Sequence, residues 1–315
     1  MSERVDAPNP VPTPDGLRSA IPRWASTLGA ILGGIVALVV GGIVSAVIAV
    51  GILTSEGGNP LDQAQLEEVV TRYPMVLMSV LFTGLSLTAA ALLSAKLTRT
   101  SIREGLGFRG APWPVFILAP LAIIALGPTS DVLVRTMAHL APDWTFGALD
   151  TLQRIAEGNS FWMLWPVIAL TPGFAEEIFF RGLVQRSWGF GMKAITISAV
   201  SFSFFHMDPH HIVGVLPLGF YLAWLGARTG SLWVCVVTHT FNNSFALLGS
   251  KLDVESLNVG HGTDTPMPLW WMFVGWAIAA PLIYGIWRLT RDRRRWEGPA
   301  GGHQPSQENI GEVFE

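Results

Sequence analysis

The chain has 315 residues, half of them hydrophobic and only 14% charged, with a net charge of -3. That balance excludes an ordinary soluble domain and points to an integral membrane protein; no basic stripe interleaved with aromatics supports nucleic-acid binding. A single cysteine, Cys235 in an apolar stretch, excludes an internal disulfide and a cysteine-based metal site.

In chain order, residues 1–22 are polar and proline-rich and read as a disordered tail. The apolar block that follows carries no charge from Ser26 to Leu53 and is far longer than the apolar region of a signal peptide, so it reads as a retained anchor. Gly29 and Gly33 within it are spaced for close helix approach, or are simply glycines of the kind common in membrane helices. A crossing needs about 20 apolar residues. By that measure crossings are expected at 24–53, 74–97, 113–135, 161–186, 192–207, 212–227, 231–248 and 269–288. The expected fold is therefore all-α, a polytopic membrane helical bundle of about eight transmembrane helices. Trp24, Trp113, Trp162, Trp188, Trp270, Trp271 and Trp287 fall near span ends as interfacial anchors.

Lys96, Arg99, Arg103 and Arg109 follow the second span, Arg186 and Lys193 the fourth, Arg228 the sixth, and Arg288 to Arg295 the last. The alternate loops are acidic or poor in Lys and Arg, which places both termini in the cytoplasm. The chain divides into N-terminal helices over 23–150, a core over 151–250, an outer loop and last helix over 251–296, and a disordered tail over 297–315.

Polar residues inside apolar spans are costly and stand out for that reason. Glu177 and Arg181 are four apart on the fourth span and able to pair, while Glu176 is turned about 100° away. Pro172 and Gly173 are expected to interrupt the helix just before them and leave free N–H groups. His206 lies near the end of the fifth span, and His239 and Asn243 share a face of the seventh. Each has a plain structural alternative: an ion pair at a helix end, a packing histidine, a helix-bridging amide. Together, on separate spans, a carboxylate, two histidines and an amide are the parts needed to activate water against a carbonyl. Counting from the cytoplasmic ends puts Glu177 and His239 about 13 Å deep, Asn243 about 20 Å and His206 about 22 Å, an imperfect match. Asp131 and Arg135 read as a structural pair, and His210 and His211 as loop residues at the mouth.

The same residues resemble a known family. EEIFFR (Glu176 to Arg181), FSFFH (Phe202 to His206) and HTFNN (His239 to Asn243) are similar to the EExxxR, FxxxH and HxxxN motifs of the CPBP family. That family comprises the type II CAAX prenyl endopeptidases and bacteriocin-processing or immunity membrane proteins, and the likeness covers about 162–248. It implies an intramembrane endopeptidase acting on a membrane-associated peptide, prenylated if the substrate is of CAAX type. Glu176 would be the general base, His206 would position the water or its metal, His239 and Asn243 would stabilise the oxyanion, and Glu177 with Arg181 would hold the geometry. Zinc is left open; Glu176, His206 and His239 are the set that would hold it. Membrane lipid and a peptide substrate are the expected partners, and the cell inner or plasma membrane the expected location. Two other classes compete: a non-catalytic immunity or peptide-binding scaffold of the same fold, and a proton-coupled transporter using Glu176 and Glu177 as a relay.

Overall fold

The computed structural model describes residues 23–252 and 268–291. The expected tails 1–22 and 297–315, and most of the loop before the last helix, lie outside the described residues. Among the described residues there is no strand. The chain runs α1 (Arg23–Ser55), α2 (Gln63–Thr71), α3 (Tyr73–Leu97), α4 (Ile102–Gly105), α5 (Val115–Leu140), α6 (Ala148–Gly158), α7 (Phe161–Trp188), α8 (Met192–Phe204), α9 (Pro209–Thr229), α10 (Leu232–Leu252) and α11 (Trp270–Thr290).

Local chemistry sets several of these ends. Asp62, Ser101, Ser160 and Asp208 each accept a backbone N–H of the first turn of the helix they precede. Pro209 occupies the first position of α9, where its missing N–H is of no consequence, and Gly230 stops that helix at φ 63°.

Among the described residues six helices are long and apolar enough to cross a membrane: α1, α3, α5, α7, α9 and α11. The other two expected crossings depart from that standard for different reasons. The fifth, α8, has 13 residues; at 1.5 Å each it reaches about 20 Å, short of roughly 30 Å of hydrocarbon. The seventh, α10, has 21 residues, but Thr238, His239, Asn242 and Asn243 interrupt its apolar character.

Helix α7 lies at the centre, with Phe179 and Phe180 fully buried, packed by α3, α8 and α10. A second core forms where α5 meets α9, α10 and α11. Membrane helices gain contact by close approach, and glycine permits it. A Cβ on Gly275 of α11 would lie 2.3 Å from the Ala125 carbonyl oxygen of α5. Helix α1 packs on α3 and leaves most of its surface outward.

The connections sort by charge. At one end, Leu232 N donates to Gly107 O at 2.8 Å, Ser231 Oγ to Arg109 O, Arg186 to Gly230 O at 2.7 Å, and Arg228 to Trp287 O at 3.0 Å. These bonds gather the segments around Arg99 to Arg109, Arg186, Arg228 and Arg288. The start of α1 joins them, since Thr27 Oγ1 donates to Ser187 Oγ at 2.5 Å. At the other end Arg154 pairs with Glu67 at 3.2 Å, Lys251 donates to Asn159 O at 2.5 Å, and Asp208 binds the segment at Thr145. The basic loops therefore meet on one face of the bundle and the acidic ones on the opposite face. One member of the expected basic set behaves differently: Arg186 is buried rather than exposed in a loop.

Candidate active site

The site is built on the middle of α7. Two wider π-helical stretches, Trp165–Leu170 and Ile178–Gln185, bracket an ordinary α stretch, Thr171–Glu177. Insertions of this kind occur often at functional sites. The expected interruption at Pro172 and Gly173 does not occur: the chain stays helical through both. Thr171 N reaches five residues back to Pro166 O, so the widened turn has already altered the ladder where Pro172 brings no N–H. Gly173 serves packing instead. A Cβ there would lie 2.3 Å from Thr240 Oγ1 and 2.9 Å from Thr240 N, so its absence lets α10 close onto α7 beside His239.

Glu177 is fully buried, and its Oε1 is the hub of the polar network. Arg181 Nη1 donates to it at 2.8 Å and His239 Nδ1–H at 2.9 Å. The expected pairing of Glu177 with Arg181 is present, and His239 joins it from 62 residues away. Arg181 also donates from Nη2 to Gly219 O at 3.2 Å, and its guanidinium lies 4.4 Å from the centre of the Phe202 ring. With Nδ1 committed to Glu177, the nitrogen of His239 left for other chemistry is Nε2.

Glu176 takes no part in the Arg181 pair. Its Oε2 is buried without a protein partner, and the carboxyl lies within electrostatic range of His239, Glu177 and Arg181. A carboxylate oxygen so placed is available to a water or a substrate.

His206 stands in the turn after α8. Its Nδ1–H donates to Phe202 O at 3.0 Å, which again leaves Nε2 available. Phe202, read in sequence only as a motif position, is the common neighbour: ring centres of His206 and His239 lie 5.0 and 5.6 Å from its own. The expected mismatch in depth between the two histidines is bridged by this ring. Asn243 sits one turn beyond His239, and its Nδ2 donates at 3.4 Å to Ile168 O, the carbonyl that Pro172 has no N–H to meet.

Other residues contribute, of which Asp208 and Gln185 were not singled out by sequence. His210 and His211, expected in a loop, form the first turn of α9; His210 Nε2–H donates to Ala141 O at 3.0 Å. Asp208 is buried before them. Burial works against its charge, but hydrogen bonds from His211 N, Thr145 Oγ1, Phe146 N and Ala148 N outweigh that and hold its carboxyl below the ordinary value. The Asp-Pro pair opening α9 is a readable capping signal; its long-range partners are not readable. Gln185 Nε2 donates to Ala223 O at 2.7 Å, one turn along α7 and α9 from the Arg181 bond to Gly219. Asp131 and Arg135 pair at 2.6 Å within α5, as their spacing predicts.

Among the described residues no three His, Cys, Asp or Glu side chains come together as a metal-binding group. His206 and His239 both meet Phe202, and Glu176 lies within electrostatic range of His239.

Residues 158–245 match a family described as Rce1-like, type II CAAX prenyl endopeptidase. The segment holds all three motifs, and over it the resemblance to the CPBP family is supported; the long apolar helices around it make the chain a multi-pass membrane protein. No curated protein and no solved structure matches the chain.

Proposed function

We propose that the protein is an intramembrane endopeptidase that hydrolyses a peptide bond of a membrane-associated, CAAX-type substrate by means of a water activated by Glu176. The observation that carries this reading is the division of labour between adjacent carboxylates. Both leave a buried Oε2 without a protein partner, but Glu177 is tied through Oε1 to Arg181 and His239, whereas Glu176 takes part in neither bond.

In this reading Glu176 accepts a proton as the water oxygen bonds to the scissile carbonyl carbon. His206, fixed through Nδ1, offers Nε2 to orient that water. The developing oxyanion is met by His239 Nε2–H, with Asn243 one helical turn away as a second donor. Glu177 Oε1, 2.9 Å from His239 Nδ1, holds the ring that presents Nε2. Collapse breaks the C–N bond as the proton on Glu176 passes to the leaving amine. No step in this reading is routed through a metal.

The test is cleavage of a reporter peptide ending in a prenylated CAAX-type sequence by the full chain in proteoliposomes. Glu176→Gln is expected to abolish product while leaving the thermal unfolding profile unchanged. Undiminished turnover in that variant refutes the general-base role. Peptides released in membranes by the wild type and not by Glu176→Gln identify the physiological substrate.

A further inference from the structure

We infer that His211 is a positioning residue for His206, and that it acts as an aromatic wall rather than through its charge. The inference rests on the proposed role of His206. The two imidazoles meet edge to face, with ring centres 4.5 Å apart and planes inclined at 69°. His206 also meets Phe202, ring centres 5.0 Å apart at 72°. His206 is thus in contact with two rings while Nδ1–H is anchored to Phe202 O at 3.0 Å. A hydrogen bond alone leaves a ring free to pivot about it; two edge-to-face ring contacts restrict that pivot, and Nε2 then has one direction.

The backbone gives independent reason for such a wall. His206 sits in a tight reversal: its N–H donates to Ser203 O at 3.1 Å, Asp208 N donates to His206 O at 2.7 Å, and Met207 between them has φ 57°. A side chain other than glycine at that φ is sparsely populated, and it persists where the surroundings over-determine it. Asp208 supplies that constraint. Its Oδ1 accepts His211 N at 3.1 Å, and its Oδ2 accepts Thr145 Oγ1 at 2.8 Å and Phe146 N at 2.6 Å. His210 adds its bond to Ala141 O on the same side. The first turn of α9 is clasped to residues 141–148, and His211 is thereby fixed against His206.

A wall can be replaced by another ring. His211→Ala is expected to lower kcat about tenfold or more with KM unchanged, since a displaced catalytic group costs rate before binding. His211→Phe is expected to restore most of the loss. A second readout does not depend on turnover: the His206 Nδ1–H resonance in nitrogen-15 histidine-labelled protein. It is expected to be sharp in the wild type and in His211→Phe, and broadened or lost in His211→Ala. Full kcat and a sharp resonance in His211→Ala overturn the inference. So does a His211→Phe variant as impaired as His211→Ala, which assigns the role to the imidazole's chemistry. The Glu176→Gln control separates the two ideas: if it retains turnover, the catalytic reading fails, while the resonance still decides the wall.

Discussion

Glu177 and His239, 62 residues apart in sequence, are joined at 2.9 Å through an oxygen that Arg181 also holds at 2.8 Å. One buried carboxylate therefore ties the first motif to the third and fixes which nitrogen of His239 is available. Removing the charge leaves Arg181 buried with no countercharge from this residue, a situation worth about 3–5 kcal/mol in other buried pairs. Glu177→Gln is expected to destabilise the protein on that scale and to reduce turnover. Pairing it with Arg181→Met should return much of the stability and none of the activity. Denaturation in detergent and reporter cleavage measure the two effects; a Glu177→Gln protein of unchanged stability contradicts the network.

The contact of α7 with α10 depends on one missing methyl group. A Cβ at Gly173 would meet both the Thr240 hydroxyl and its backbone, so Gly173→Ala forces α10, and His239 with it, away from α7. The expected cost is about 1–3 kcal/mol, as for other overpacked interiors, with a loss of turnover. Trimming the neighbour by Thr240→Ala relieves the 2.3 Å contact and leaves the 2.9 Å one to backbone N, so rescue should be partial. Complete rescue places the obstruction in the hydroxyl alone.

Asp208 lies outside the spans and gives a sign for pH dependence. Its carboxyl is held below the ordinary value, so its contribution is fully present above the unfolded-state value of about 3.9 and is lost as pH falls through the folded-state value. Melting temperature should therefore fall as pH drops from about 5 towards 3. Asp208→Asn should start lower at neutral pH and lose less over the same range. Parallel curves for the two proteins remove Asp208 from the acid response.

What sequence made legible was what spacing encodes. Residues four apart on a helix, such as Glu177 with Arg181 and Asp131 with Arg135, pair as their register requires. The motif histidines were visible because polar groups in apolar runs need a reason. The arrangement among them was not visible, since it depends on contacts between distant segments: Phe202 between two imidazoles, Thr240 against Gly173, Asp208 on residues 145–148. Proline and glycine at 172 and 173 read as a break because sequence carries no signal for the π turn that accommodates the first and the neighbouring helix that requires the second. Helix length adds what span counting lacks: α8 is apolar and short, and hydropathy alone does not tell a short buried helix from a crossing.

Orientation is open to direct test because the only cysteine is buried. A cysteine introduced elsewhere is then the only one a membrane-impermeant maleimide reaches. Arg103 is exposed at the end of the bundle where the basic segments gather, and Asp143 is exposed at the other. The positive-inside rule puts the basic end in the cytoplasm. Arg103→Cys should label in inside-out vesicles and not in intact cells, and Asp143→Cys the reverse. Labelling of both from one side contradicts the separation of the two faces, and exchange of the two patterns inverts the orientation while leaving the fold untouched. In the expected orientation the turn carrying His206 lies towards the outer face, since Asp208 two residues on is bonded to Thr145 beside Asp143.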